Sequence, residues 1–304
     1  MAGFGKGATA LFSRKTPGGV FTISDIRDMT GKAFFVDSTN GATTNSGTNP
    51  DDALATIDAG ITKCTAGEGD VVFVAPGHAE TVSGAAGIDF DIAGVKVIGL
   101  GRGTDRPTVT MSAVASTIHM DTANSWLENI LIVISADVTK CIDVDKTDCT
   151  IKDVEIRGNS STQFVTAIDV DGGAGNAADR TVIDGCIIDA DAVGATDGVK
   201  LAEVSDQVVI KGCWMTGNYS VAPVHNPTGS VLTDLTVRDC VLKNDTTGQL
   251  ALELVSATTG FLIRNYYHTD VAQATGQDAG ACFSYESYHC DAVDVSGTIS
   301  PVVT

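Results

Sequence analysis

Two pairs of acidic residues recur at the same place in consecutive segments of the chain. Asp143 and Asp145 alternate with apolar residues in the sequence IDVD, and Asp169 and Asp171 do the same in a second copy of IDVD. If the two segments are neighbouring strands, equivalent carboxylates lie about 5 Å apart. Retaining glycosidases use a pair of carboxyl groups at about that separation for catalysis, and clusters of carboxylate oxygens also bind hard cations such as Ca²⁺.

The alternative is an acidic surface without chemistry, where water, salt or Lys200 in the next segment relieves the repulsion. The chain carries 19 Lys and Arg against 38 Asp and Glu, a net charge of −19, so acidic surface is expected in many places. No catalytic motif of a known enzyme family coincides with these positions. We therefore favour the structural interpretation and predict no catalytic residue, metal or cofactor there. The same charge disfavours binding to nucleic acid or to an anionic membrane.

His78 and Glu80 lie two residues apart, so in a strand they share a face and could join a metal site. No third ligand is near them in the sequence. A pair that stabilises a turn at the end of a strand is the favoured interpretation. The other histidines show no ligand spacing: His119, His225, His289, and His268, which we expect to mark the end of an apolar stack.

A repeat of 26 or 27 residues must position these groups. Its anchors are Gly185, Gly212, Asp239 and Asn265, which lie 27, 27 and 26 residues apart, with weaker copies at positions 129 and 153. Alternating apolar and polar residues precede and follow each anchor. Gly, Asp and Asn tolerate left-handed backbone angles, so each anchor is predicted to be a bend between two strands. Such a period with short strands is typical of a solenoid.

Cysteines follow three of the anchors directly, at Cys186, Cys213 and Cys240. In stacked coils they would form a ladder inside the solenoid, which is packing and not chemistry. The eight cysteines have irregular spacings without a CxxC pair, so we expect buried free thiols and no disulfide framework.

The pattern predicts an all-β protein, a right-handed parallel β-helix with two or three strands in each coil. Leucine-rich repeats have a similar period, but their leucine consensus is missing. We divide the chain into an extended N-terminal arm (1–30), the β-helix (31–265) and a C-terminal cap or association region (266–304). Neither a membrane-spanning run nor a signal-peptide hydrophobic region is expected.

A capping α-helix is predicted near 50–64, before the first coil. Asn49 is its expected N-cap and Pro50 its first residue, while Leu54, Ile57 and Ile61 mark a buried face at spacings of three and four. Such a helix would cover the open strand edge at the end of the stack, which could otherwise polymerise.

The stretch GDVVFVAPGHAETV (69–82), with the preceding helix PDDALATI (50–57), resembles the N-terminal coil of pectate-lyase-like β-helix proteins. Together with FFVDS (34–38), it is similar to a group of β-helix structural proteins of tailed bacteriophages. The resemblance covers residues 31–110 closely and the remainder only as a repeat. It implies a virion component assembled in the host cytoplasm, a homotrimer such as a capsid decoration (cement) protein or a tail or spike part.

The arm and the C-terminal region are the predicted contact sites for the major capsid protein or another virion subunit. The arm is glycine-rich and basic in an acidic chain, with Lys6, Arg14 and Lys15 as candidate contacts, and Tyr285 and Tyr288 are the candidates near the C-terminus. The function predicted is non-enzymatic. The alternatives are a virion polysaccharide depolymerase or lyase, and a receptor-binding tail spike that recognises host surface glycans.

Overall fold

The computed structural model describes residues 12–16, 19–23, 30–172, 178–271, 276–290 and 298–300, with the backbone alone described for 12–16, 19–23, 192–193 and 298–300. From residue 33 to residue 290 the described chain winds into stacked coils of short parallel strands that form three faces. This is the right-handed parallel β-helix predicted from the repeat, and that prediction is confirmed. No helix in the described ranges is long and apolar enough to cross a membrane.

The first face is a sheet of ten parallel strands, one from each coil. Its strands are Ala33–Val36, Val71–Val74, Lys96–Gly99, Trp126–Glu128, Thr150–Lys152, Val182–Asp184, Val209–Lys211, Leu235–Arg238, Gly260–Ile263 and Phe283–Tyr285.

The second and third faces belong to one sheet, because two long strands, Ile187–Leu201 and Trp214–His225, run across both. The remaining strands of the second face are Ala79–Val82, Thr108–Met111, Leu131–Ile134, Glu155–Arg157, Val241–Lys243, Tyr266–His268 and Ser287–Cys290, with Thr298–Ser300 antiparallel to the last. Those of the third face are Ile88–Asp89, Ile118–Met120, Val138–Val144, Phe164–Val170, Leu252–Leu254 and Gln277–Ala279.

A bend with a left-handed residue joins the first face to the second in successive coils. The φ angles there lie between 50° and 66°, at Asn129, Asp153, Gly185, Gly212, Asp239, Arg264 and Glu286. The predicted anchors are therefore confirmed except for Asn265, since Arg264 occupies that bend and shortens the spacing from Asp239 to 25 residues.

Asn265 instead continues the interior ladder of Cys186, Cys213 and Cys240, all at most 1% exposed. Its Oδ1 accepts a hydrogen bond from the backbone N–H of Cys240 (3.0 Å), and its Nδ2 donates to the carbonyl of Val237 (2.8 Å). A buried amide needs such partners, and a position inside the stack supplies them. The apolar stack ends correspondingly at Tyr267, which pairs with Leu242, so the expectation for His268 was wrong by one residue.

The predicted capping helix is two short helices instead of one. Pro50–Asp52 is a 3₁₀ turn whose first N–H groups bond to the Asn49 side chain, and Ile57–Thr62 is an α-helix capped by Thr56. The chain between them is extended, and Leu54 forms a β-bridge with Val36.

This segment covers the edge of the first strand by hydrogen bonding. The backbone of Leu54 bonds to Phe35 and Asp37, and the N–H of Phe35 donates to Gly47, each at 2.8 Å. Leu54, Ile57 and Ile61 are fully buried, as the spacing predicted. The open edge is thus protected, although by extended chain as much as by helix.

At the two chain ends the structure adds detail to the predicted regions. Phe12–Thr16 and Gly19–Ile23 form an antiparallel pair within the proposed arm. Arg14 and Lys15 lie in the first of these strands, of which only the backbone is described, and Lys6 lies outside the described residues. Parallel pairing continues beyond residue 265 to Cys290, so much of the proposed cap region extends the β-helix.

The cysteine ladder makes a prediction about stability. Replacing Cys213 with Asp places an unpaired carboxylate between Cys186 and Cys240, which we expect to cost several kcal/mol of unfolding free energy. Cys213→Ser is the matched control, because a hydroxyl can keep the bond that Sγ donates to the Lys211 carbonyl (3.3 Å). Chemical unfolding of the three proteins measures the difference. Equal stability of wild type and Cys213→Asp would contradict the buried register.

Candidate functional site

Polar side chains of the third face form a column along the solenoid axis. Backbone pairing places His119, Asp143, Asp169 and Lys200 in register on four successive coils. The stacking of Asp143 on Asp169 predicted from the two IDVD segments is therefore confirmed. Asp89 pairs with His119 from the preceding coil, and we call this column, with Lys140, Asp145 and Asp171 beside it, the acidic column.

The carboxylates of the acidic column are close enough to share a cation. Ligand atoms of Asp143, Asp169 and Asp171 lie within 4.8 Å of one another, and so do those of His119, Asp143 and Asp145. Such sets of oxygen and nitrogen atoms fit a divalent ion by ligand type. The question is whether another positive charge already occupies the space.

Lys140 supplies that charge. Its Nζ lies 2.7 Å from a carboxylate oxygen of Asp143, 3.2 Å from Asp171 and 3.6 Å from Asp169, and Lys200 approaches Asp169 from the next coil at 3.6 Å. Lys140 therefore bridges carboxylates of two coils. Sequence reasoning missed it, because both Cys141 and Ile142 point inward and break the alternation of the strand.

His119 lies between two carboxylates at the other end of the column. Its Nε2 lies 3.1 Å from Asp145 and its Nδ1 lies 3.5 Å from Asp89, so both ring nitrogens face carboxylates. Burial lowers the pKa of His119, but the hydrogen bond and charge of Asp145, with Asp143 and Asp89, outweigh burial and raise it. The sequence held a signal for this residue, since IHMD (118–121) is a variant of the IDVD segment.

The acids are less exposed than the solvated surface that we expected. Burial raises the pKa of Asp143 to about 6, although the hydrogen bond and charge of Lys140 oppose the shift. Burial also raises the pKa of Asp169 against the attraction of Lys200 and Lys140, and it raises that of Asp145, to which Asp171 adds. Oδ1 of Asp169 is buried and has no hydrogen-bond partner among the described residues.

His78 and Glu80 lie in a separate hydrogen-bond network that ties the cap to the first coils. The backbone N–H of Ser38 donates to Nδ1 of His78, and Nε2 of His78 lies 3.1 Å from Oε2 of Glu80. The same oxygen of Glu80 accepts from the N–H of Ile57 at the start of the α-helix (2.9 Å). The favoured interpretation of a structural pair agrees with these contacts.

A groove of about 450 Å³ lies at the bends between the first and second faces, and sequence reasoning did not find it. Its walls include Arg102, Arg106, Glu128, Asn129 and Asp153. Within it Arg106 donates to the carbonyl of Asp153, and 2.7 Å separates the same guanidinium from a carboxylate oxygen of Glu155. Arg106 thereby joins two coils that are separated by one intervening coil.

The predicted C-terminal contact residues lie on the surface, far from the acidic column along the chain. Tyr285 ends the last strand of the first face, and Tyr288 lies around the bend on the second face. Both side chains are well exposed, as is Trp214. Trp214 directly follows Cys213 of the interior ladder and faces outward.

Similar solved structures include two lyases. A rhamnogalacturonan lyase aligns with a TM-score of 0.41 and 14% identity over 84% of this chain and 85% of its own. The alginate lyase from Paenibacillus sp. str. FPU-7 aligns with a TM-score of 0.38 and 12% identity over 77% of this chain and 92% of its own. No protein-family model and no curated protein matches the sequence. The likeness concerns the β-helix fold alone.

The raised pKa of Asp143 predicts a pH dependence of stability. A carboxyl whose folded pKa (about 6) exceeds its ordinary value of 3.8 stabilises the fold fully below pH 3.8, and this contribution is lost as the pH rises through 6. Asp143→Asn removes the titration, so it should gain about 1–3 kcal/mol relative to wild type between pH 4 and pH 7. Urea unfolding at several pH values measures this.

Glu203→Gln is the matched control for this measurement, because it removes an exposed carboxylate elsewhere on the chain. Its unfolding free energy should follow the wild-type curve throughout. Parallel curves for wild type and Asp143→Asn would show that Asp143 titrates normally and would contradict its burial.

Proposed function

We propose that the protein is a non-enzymatic structural protein whose β-helix serves as a rigid body in a larger assembly. The observation that carries the proposal is the position of Lys140 between Asp143, Asp169 and Asp171, at 2.7, 3.6 and 3.2 Å. A glycosidase pair needs open space between its two carboxyl groups for the sugar and for water. Here an ammonium group fills that space, and the acids hold the coils together.

The assembly that we propose is the virion of a tailed bacteriophage. The resemblance of residues 31–110 to β-helix structural proteins of such phages supports this role, with a homotrimeric capsid decoration protein as its specific form. The arm of residues 1–30 would attach the protein to the major capsid protein or another virion subunit. Its Lys6, Arg14 and Lys15 are positive charges in a chain of net charge −19, which suits carboxylates on the partner.

A polysaccharide lyase or depolymerase is the second candidate, and one specific observation favours it. Asp143, with a pKa raised to about 6 by burial, lies beside Asp169, whose buried Oδ1 has no hydrogen-bond partner within the described residues. Perturbed carboxyl groups in one cluster are a common feature of catalytic sites, although ion networks also produce them. A divalent cation that displaced Lys140 from the cluster would open the site.

An assay of glycan cleavage distinguishes the two candidates. Purified protein is incubated with host capsule and lipopolysaccharide, with and without Ca²⁺, and released oligosaccharides and unsaturated ends are measured. We expect no release, and no increase in melting temperature with Ca²⁺, for either wild type or Asp143→Asn/Asp169→Asn. Cleavage that the double variant loses would contradict the structural proposal and assign the acidic column to catalysis.

Co-sedimentation with phage particles that lack the protein tests whether residues 1–30 attach it to the virion. Full-length protein should sediment with them, and protein without residues 1–30 should remain in the supernatant while its circular dichroism is unchanged. Raised ionic strength should weaken the full-length interaction as the deletion does. Equal binding by the truncated protein would place attachment on the β-helix body.

A further inference from the structure

Six exposed aromatic side chains gather at the bend between the first and second faces in the C-terminal coils. Their exposed fractions range from 42% to 74%, although only 6% of the chain is aromatic. Backbone register aligns Trp214, Val241, Tyr266 and Tyr288 in one column, and Phe261 with Phe283 in another. We call this surface the aromatic patch: Trp214, Phe261, Tyr266, Phe283, Tyr285 and Tyr288.

The rings of the aromatic patch stack on one another along the solenoid axis. Tyr266 and Tyr288 have centroids 5.6 Å apart and planes inclined by 16°, and Phe261 and Phe283 have centroids 6.1 Å apart and planes inclined by 28°. Stacking covers ring faces and leaves ring edges toward solvent. A sugar ring packs against the face of an aromatic side chain, so this arrangement suits a protein surface better than a glycan.

The patch supplies most of the area that a specific protein interface buries, and the polar side chains around it would supply the remainder. Aromatic side chains bury about 150–250 Å² each, so six that are roughly half exposed offer about 600 Å². A stable interface buries about 800 Å² on each partner. The largest apolar patch on a typical monomeric protein measures about 300–600 Å² and is often functional, so the aromatic patch lies at the upper end of that range.

The basic groups around the patch are paired within the chain. Asp239 binds Arg264 at 2.7 Å and Arg238 at 3.0 Å, and Lys243 lies 2.8 Å from Asp245. Two molecules of net charge −19 repel one another over most of their surfaces. Glu286, exposed at the bend between Tyr285 and Tyr288, adds a third acid to these three basic groups. The charges around the patch therefore cancel, and two copies can approach closely where this apolar area is available.

We propose that the aromatic patch binds a second copy of this chain, so that two β-helices lie side by side along their C-terminal coils. Both copies repeat their side chains at the strand spacing of about 4.8 Å, so ring edges of one copy fit between those of the other. Self-association of this kind stands whether or not the protein belongs to a virion. The aromatic patch is then the contact surface between two copies of the β-helix.

Trp214 allows the association to be measured directly. In a Trp126→Phe background it is the remaining tryptophan of the chain, and its emission should shift to shorter wavelength as protein concentration rises and the patch is covered. Sedimentation velocity over about a hundredfold range of concentration should show a dimer or larger species. Because the contact is apolar, high salt should leave association unchanged or strengthen it.

Tyr266→Ser/Tyr288→Ser removes one stacked pair and should weaken association at least about tenfold, without loss of circular dichroism or melting temperature, because both rings are exposed. Val114→Ser/Val204→Ser is the matched control, with side chains that are 63% and 57% exposed elsewhere on the chain. Wild type that is monomeric at every concentration, or a tyrosine variant that associates as wild type does, would overturn the proposal. A monomer whose Trp214 emission responds to host oligosaccharide would also overturn it and assign the patch to glycan binding.

Discussion

Stacking of the coils in register is the constraint on which the remainder of this structure depends. Each strand is hydrogen-bonded to the equivalent strand of the next coil, so a side chain at one position lies directly above its counterpart about 4.8 Å away. Like residues are therefore brought into columns. A column of thiols or aliphatic side chains makes a continuous core, and a column of aromatic rings makes an exposed apolar surface. In a column of carboxylates, like charges repel one another, and nearby groups must offset this repulsion.

In the acidic column, basic side chains offset the repulsion between stacked carboxylates. Five carboxylates from neighbouring coils lie beside Lys140, Lys200 and His119. Lys140 and His119 each contact acids of two coils, and Lys200 contacts Asp169 of the preceding coil. Burial makes ionisation of Asp89, Asp143, Asp145 and Asp169 costly, which is why the pKa values of these four acids rise. We propose that the column acts as a brace between coils: it resembles a catalytic site in composition, but the ammonium group of Lys140 lies between its carboxylates.

The sequence was sufficient to predict the coil and its bends, because Gly185, Gly212 and Asp239 tolerate a left-handed backbone conformation and are regularly spaced. It was insufficient at Arg264, because arginine rarely adopts this backbone conformation. Asn265 was therefore predicted as the bend, which displaced the predicted register of the last coil by one residue. The buried hydrogen bonds of Asn265 are tertiary and leave no local signal. Lys140 was missed for a similar reason, since the irregularity at Cys141 and Ile142 changes which side chains share the outer face.

A double-mutant cycle between Lys140 and Asp171 tests most directly whether the acidic column is a closed ion network. The two groups come from different coils and lie 3.2 Å apart. Unfolding free energies of wild type, Lys140→Met, Asp171→Asn and the double variant give their coupling. We predict a favourable coupling of about 1–2 kcal/mol that persists in moderate salt, as expected for a half-buried pair. A coupling indistinguishable from zero would mean that Lys140 does not neutralise the column and that its carboxylates are open to a cation or a substrate.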